Sequence, residues 1–190
     1  MKGLLVIISS PSGGGKTTII QKILQKYPEK YVYSISATTR KARPGEVDGK
    51  DYFFLTEEQF QNDIDQNLFL EWETVHGFFY GTPKAYIEKC INEGKFVFLD
   101  IDVNGALRVA RNFPKRTITI FVSPPSIKEL IKRLQNRRTD SKQEIDNRLE
   151  RIPMEMEKST RFDHIVINDK LDKTVEQVIK IINRFSKNNV

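Results

Sequence analysis

Leu4-Leu5-Val6-Ile7-Ile8-Ser9-Ser10-Pro11-Ser12-Gly13-Gly14-Gly15-Lys16-Thr17 is the stretch that decides how this chain folds. Its unbroken apolar run does not alternate between core and water, so it reads as a strand buried on both faces. After the glycines, Lys16–Lys26 carries Ile19, Ile20, Ile23 and Leu24 on one helical face. A strand, a glycine turn, Lys, Thr and a helix make a phosphate cradle. Glycines let the backbone aim several N–H groups at one anion, and the helix N-terminus adds partial positive charge. Lys16 would reach the β- and γ-phosphates of a nucleotide, and the Thr17 hydroxyl would hold Mg2+. The usual eight-residue pattern opens with Gly, whereas Ser10 stands in that place here. The competing reading is a glycine-rich turn that binds nothing, but such a turn has no use for Lys-Thr.

Working outward, the 190-residue chain has the length of one ordinary domain with a core of its own. Charged residues at 29% and hydrophobic residues at 38% point to a globular, soluble protein. No apolar run reaches the roughly 20 residues of a membrane span, so no membrane is expected as a partner. One cysteine, Cys90, cannot form an internal disulfide; it falls on an amphipathic helix pattern and reads as a small core residue in a reducing cytoplasm. The net charge of +6 suits polyanions. Aromatic-rich RNA signatures and zinc-finger spacing are absent from the sequence, which favours nucleotide phosphates over nucleic acid. The two histidines, His76 and His164, lie far apart and predict no zinc site.

Apolar runs alternate with helical patterns at both ends of the chain, which predicts an α/β fold with a central parallel sheet flanked by helices. Tyr31–Ser36, Phe96–Asp100, Thr117–Val122 and His164–Ile167 read as further strands of that sheet. Residues 37–82 break the rhythm. They hold a long polar loop over 37–50, a strand at Tyr52–Leu55, a capping box at Thr56-Glu57-Glu58-Gln59, and two short antiparallel strands, Phe69–Val75 and Phe78–Tyr80. This looks like a small inserted mixed-sheet subdomain. Thr82-Pro83 reads as an N-cap with proline in the first helical position. Asn104–Asn112 reads as a helix, and Ser126–Glu129 is a second capping box opening another that runs to about Gln135. Asn136–Ser141 is a polar break. The next helix should kink or restart at Pro153, and Leu171–Phe185 closes the chain with a frayed tail after it.

Four groups of residues carry chemistry. Asp100 ends an apolar run, Phe96–Asp100, and parallel strands gather ligands at their C-terminal ends, so it is placed to steady Mg2+ beside Thr17. Asp102 reads equally well as a helix cap. Arg40 and Arg43 flank a turn at Pro44-Gly45 and would grip one phosphate from two sides. Arg133 and Arg137 share a helical face, with Arg148 beyond the break; they would arrive over transferring phosphates or form salt bridges along their helices. Glu71 interrupts an apolar stretch. It would either face water or accept from a base with adjacent N–H donors, as guanine offers with N1–H and its 2-amino group.

Together these motifs resemble the guanylate kinase family from about Leu4 to Phe185. The resemblance rests on the phosphate loop, Ser36-Ala37-Thr38-Thr39-Arg40, Arg43-Pro44-Gly45-Glu46, Asp51-Tyr52-Phe53-Phe54, Phe69-Leu70-Glu71, Tyr80-Gly81-Thr82, Phe98-Leu99-Asp100-Ile101-Asp102, Arg133-Leu134 and Val166-Ile167-Asn168-Asp169. It implies transfer of the γ-phosphoryl of ATP to GMP, giving ADP and GDP, with Mg2+, in a cytoplasmic enzyme of purine metabolism. It further implies ATP binding by Ser10, Pro11, Ser12, Gly13, Gly14, Gly15, Lys16, Thr17 and Thr18 with Arg133 and Arg137. The GMP phosphate would meet Arg40, Arg43, Tyr52 and Tyr80, and the guanine would meet Ser36, Glu71 and Thr82, with Asp100 near GMP and the metal. Lys16, Arg43, Arg137 and Arg148 would act in catalysis. In this scheme the core is about 1–36, 83–125 and 151–190, the GMP-binding insert about 37–82, and a helical lid about 126–150. Ser10, Phe78 (where Asn is frequent) and Arg138 (where Gly is common) depart from the family pattern. A phosphopeptide-binding scaffold of similar fold and a kinase for another nucleotide are the rivals. Lys16-Thr17 argues against the first and Glu71 with Ser36 against the second; oligomeric state is left open.

Overall fold

Strand β1 (Leu4–Ser9) is buried at all its positions, as its apolar run requires. In the computed structural model, which describes residues 3–75, 77–135 and 142–188, β1 lies at the centre of a five-stranded sheet. Its neighbours are β7 (Phe96–Asp100) and β8 (Thr117–Ser123), with β2 (Tyr31–Tyr33) and β9 (His164–Ile167) at the edges, in the order β2-β7-β1-β8-β9. All four pairings are parallel. The period of two sorts β1 between two cores. Leu4, Val6 and Ile8 join helices α1 (Lys16–Lys26) and α7 (Leu171–Asn188) on one face. Leu5 and Ile7 join α3 (Lys84–Asn92) and α4 (Val103–Asn112) on the other. Each fully buried Ile or Leu contributes roughly 1.5–3 kcal/mol, so a polar residue at Ile7 would undo the sheet at its centre.

A second sheet of four strands, in the order β4-β3-β6-β5, is built from β3 (Ala37–Thr38), β4 (Phe53–Phe54), β5 (Phe69–Val75) and β6 (Phe78–Pro83). It mixes one parallel pairing with two antiparallel ones. Its own small core stacks Phe60, from α2 (Glu57–Asp65), against Phe69 at 4.4 Å between ring centroids and against Phe79 at 5.4 Å. Helix α2 opens with the expected capping box: Thr56 Oγ1 accepts from the Gln59 amide, and the Gln59 side chain accepts from the Thr56 amide. Helices α5 (Ile127–Gln135) and α6 (Lys142–Lys158) pack together through Leu130, Leu134 and Ile152.

Several sequence expectations shift at this level. Strand β2 stops at Tyr33, and the first residues of the expected loop form β3, because the chain leaves one sheet to enter the other there. Strand β6 continues to Pro83, so Pro83 takes the cap position of α3 with no side-chain cap bond. Helix α4 starts one residue early, at Val103, because Asp102 caps it through the Gly105 amide at 2.8 Å. Helix α6 runs through Pro153 without restarting. Helix α7 extends to Asn188, anchored by the buried Ser186. The polar break at 136–141 and His76 lie outside the described residues.

Candidate active site

One cleft of about 340 Å³ opens between the C-terminal ends of the five-stranded sheet and the four-stranded sheet. It is lined by Ser10, Pro11, Ser12, Gly13, Gly14, Gly15, Lys16, Thr17 and Thr18 from the glycine turn, and by Ser36, Arg40, Arg43, Tyr52, Glu71 and Tyr80 from the opposite side. Asp100 and Arg148 complete the expected set there. Thr82 and Arg133 are not on this lining. Arg137 and Arg138 lie outside the described residues.

The glycine turn is positioned by its own backbone and by one distant side chain. Gly15 caps α1 in the left-handed region, with φ 93°. Any Cβ there would also sit 2.4 Å from Asn168 Nδ2. That amide donates to the Gly14 carbonyl at 2.8 Å, tying the loop after β9 to the turn. Ser10 keeps an ordinary negative φ, so the departure from glycine leaves the turn intact. Its hydroxyl donates to the Pro11 carbonyl at 2.9 Å. Lys16 Nζ is 3.3 Å from Asp100 Oδ1, and the Thr17 hydroxyl donates to Asp100 Oδ2 at 3.0 Å. Asp100 reaches them because β7 pairs with β1 in a register that sets it opposite Ile8, two residues before the turn begins at Ser10.

Two arginines, one from α5 and one from α6, reach toward this end. Arg148 of α6 donates to the Ser12 hydroxyl at 3.1 Å. Arg133 of α5 bonds Glu129, four residues earlier, at 3.1 Å, and the Asn168 carbonyl at 3.4 Å. Arg133 thus makes the salt bridge expected along its helix, and it also braces the Asn168 support.

The opposite wall is built from side chains. Arg40 donates to the Tyr80 hydroxyl at 3.2 Å and to Glu46 at 2.9 Å, and its guanidinium lies 5.3 Å from the centre of the Tyr52 ring. Glu46 also accepts from the Arg43 amide at 2.7 Å. Burial pushes the Glu46 carboxyl up, but these hydrogen bonds outweigh it and hold it below the usual range. Burial pushes Tyr52 up to about 12, so its phenol keeps its proton and can donate to an anion.

Glu71 is only 8% exposed and faces inward. Thr82 donates to its Oε1 at 2.7 Å. Its Oε2 lies where a Cβ on Gly105 would be, at 2.6 Å, so a glycine in α4 is what lets the carboxyl approach that helix. Burial lifts Glu71 to about 7; the Thr82 bond and Arg108 pull it down, while Asp102 and Glu73 push it up.

Three groups in and around the cleft escaped the sequence reading. Arg151 of α6 bonds Asp102 at 3.1 Å, so Asp102 both caps α4 and anchors α6. Glu155, buried one turn further, has its carboxyl pushed up by burial, with Arg151 and Lys16 pulling it down. Arg108 bonds Glu73 behind the wall. Gly105, a helix-breaking residue inside a helical pattern, marks a close approach, but what approaches it is Glu71 and Asp102, so it points to none of these three.

The Thr17 and Asp100 oxygens are a hydroxyl and a carboxylate side by side, hard donors of the kind Mg2+ takes. Among the described residues no group of three or more His, Cys, Asp or Glu side chains gathers as a metal cage. No helix among the described residues is long and apolar enough to cross a membrane.

The family model for guanylate kinase matches residues 2–185. The guanylate kinase of Thermotoga maritima is 46% identical over 96% of this chain and 87% of its own length. That of Wolbachia from Brugia malayi is 43% identical over 96% of this chain and 93% of its own. The crystal structure of guanylate kinase from Anaplasma phagocytophilum matches with a TM-score of 0.79 at 30% identity, covering 96% of this chain and 86% of that one.

Proposed function

The chain belongs to the guanylate kinase family, and from that premise we propose how its cleft moves the γ-phosphoryl of ATP to GMP, giving ADP and GDP. The observation that carries the reading is the cleft itself, which joins the Lys16–Thr17–Asp100 end to the Arg40–Tyr80–Glu71 wall in one space. ATP phosphates lie in the turn from Ser10 to Thr18, with Lys16 on the β- and γ-phosphates. Thr17 and Asp100 would hold Mg2+, which neutralises charge on the phosphates when bound. The GMP phosphate is met by Arg40, Arg43, Tyr52 and Tyr80. Glu71 accepts both N–H donors of the guanine edge, with Ser36 and Thr82 beside it.

A GMP phosphate oxygen forms a bond to Pγ while the bond from Pγ to the β–γ bridging oxygen breaks, and that oxygen leaves with ADP. Negative charge spreads over the oxygens in flight. Lys16, Arg43 and Arg148, which line the cleft, would stabilise that charge, and by the family resemblance so would Arg137, which lies outside the described residues. The division into core, insert over about 37–82 and lid over about 126–150 provides two parts that close over the substrates and exclude water. The lone buried cysteine, Cys90, suits work in a reducing cytoplasm.

A coupled ADP-release assay with ATP against GMP, AMP, UMP and CMP in parallel tests the reading. It requires GMP to be used far ahead of the other three. Equal use of AMP would overturn the guanine assignment, and no turnover with any would overturn the kinase.

A further inference from the structure

Arg108 stands in α4, lines a separate hollow with Arg111 and Lys158, and does not line the nucleotide cleft. Even so, it is tied to the guanine-reading strand at three points. Its guanidinium donates to Glu73 at 2.6 Å and to the Trp72 carbonyl at 2.5 Å, and it lies 3.9 Å from Glu71 Oε2. The contact with the Trp72 carbonyl fixes backbone on the residue next to Glu71. Strand β5 needs such a tie, because a bulge between Phe69 and Glu71 breaks its register with β6 immediately before the carboxyl.

Among the described residues, four charged or polar groups act on Glu71. Thr82 faces it from β6, Glu73 from its own strand, Asp102 from the cap of α4 and Arg108 from within α4. Asp102 is itself bonded by Arg151 of α6. Among the described residues Arg108 is the cation within ion-pair distance of the Glu71 carboxyl.

We propose that Arg108 is a positioning residue for purine recognition, holding β5 against α4 and keeping the Glu71 carboxyl in its acceptor-only form. The inference rests on the GMP reading of the site. Guanine presents two donors to one carboxyl, and a protonated carboxyl turns one of its acceptors into a donor. Burial has already brought Glu71 to about 7, where a modest change in nearby charge decides which form predominates. Removing the Arg108 charge therefore costs GMP binding near neutrality and costs little in alkaline solution.

The experiment measures kcat and the KM values for GMP and ATP from about pH 6 to about pH 9 in the parent, Arg108→Gln and Arg108→Lys. Arg108→Gln should raise the GMP KM about fivefold near pH 7, since a one-unit rise from about 7 takes the ionised fraction at that pH from about one half to about one tenth. The difference should shrink to about twofold near pH 9, with the ATP KM changed less than about twofold throughout. Arg108→Lys, which keeps the charge, should restore the parent's pH profile. A variant that merely folds less well would lower the active concentration and Vmax, leaving the GMP KM and its pH dependence as in the parent. A GMP penalty equal at all pH values, one shared by ATP, or an Arg108→Lys profile like that of Arg108→Gln would overturn the inference. A parent that does not phosphorylate GMP would overturn the functional reading beneath it. A parent that does, beside an Arg108→Gln with unaltered GMP KM, would overturn the role of Arg108 alone.

Discussion

The two walls of the cleft are built by different means. The phosphate turn is largely backbone: a left-handed Gly15, a helix N-terminus, and one Asn168 bond from far along the chain. The opposite wall is side chains throughout, with Arg40, Tyr52, Tyr80 and Glu71 each held by a neighbour rather than by local turn geometry. A backbone cradle suits phosphates, which every nucleotide shares. A wall of side chains suits a base edge, which has to be told from other bases. Damage to the first wall should therefore abolish chemistry, and damage to the second should change which substrate is accepted.

Lys16→Ala should break the first wall most severely, lowering kcat by about a thousandfold or more while circular dichroism shows the fold retained. Near-parent turnover would mean that the turn is not a phosphate site. Arg148→Ala removes the contact from α6 to Ser12. Its loss should appear mainly in kcat, about ten- to a hundredfold, because a group that arrives over the phosphates acts most strongly in the transition state. An effect confined to KM would place Arg148 in ground-state binding instead.

Glu71→Gln sharpens the contrast through stability. The folded chain holds a proton on Glu71 up to about 7, whereas an unfolded carboxyl releases it near 4.5. Keeping this group ionised is therefore a stability cost that grows as pH rises through that window and is fully present above it. At about pH 8, Glu71→Gln should make the unliganded protein roughly 1–3 kcal/mol more stable to urea, and the gain should vanish below about pH 4. A destabilised variant at pH 8 would mean that the ionised carboxyl is not strained. The smallest effect belongs to a residue that does not line the cleft. Thr56→Ala deletes the capping box of α2 and should cost about 1 kcal/mol in stability, with kcat unchanged.

The same contrast explains what the sequence revealed. The strand, turn and first helix are contiguous, so apolar run, glycines and Lys-Thr were all readable in one short window. The side on which Glu71 lies was not readable. Phe69, Leu70 and Glu71 are buried in succession, because the bulge in β5 cancels the alternation that would have told inside from outside. Thr82 looked like a helix cap before Pro83, but its hydroxyl is taken by Glu71 instead. Arg151 meets Asp102 across 49 positions, and no local pattern announces such a pair. Gly105 was visible as a glycine in a helix; only the approach of Glu71 explains why it is there.

The claim that the two walls read different parts of different nucleotides is tested most directly by calorimetric titration of GMP and of ATP, separately, into the parent and Glu71→Gln at about pH 8. GMP affinity should fall by roughly thirty- to a hundredfold in the variant, the cost of a mismatched buried polar contact, while ATP affinity stays within about twofold. Retained GMP binding, or an equal loss for both nucleotides, would contradict it.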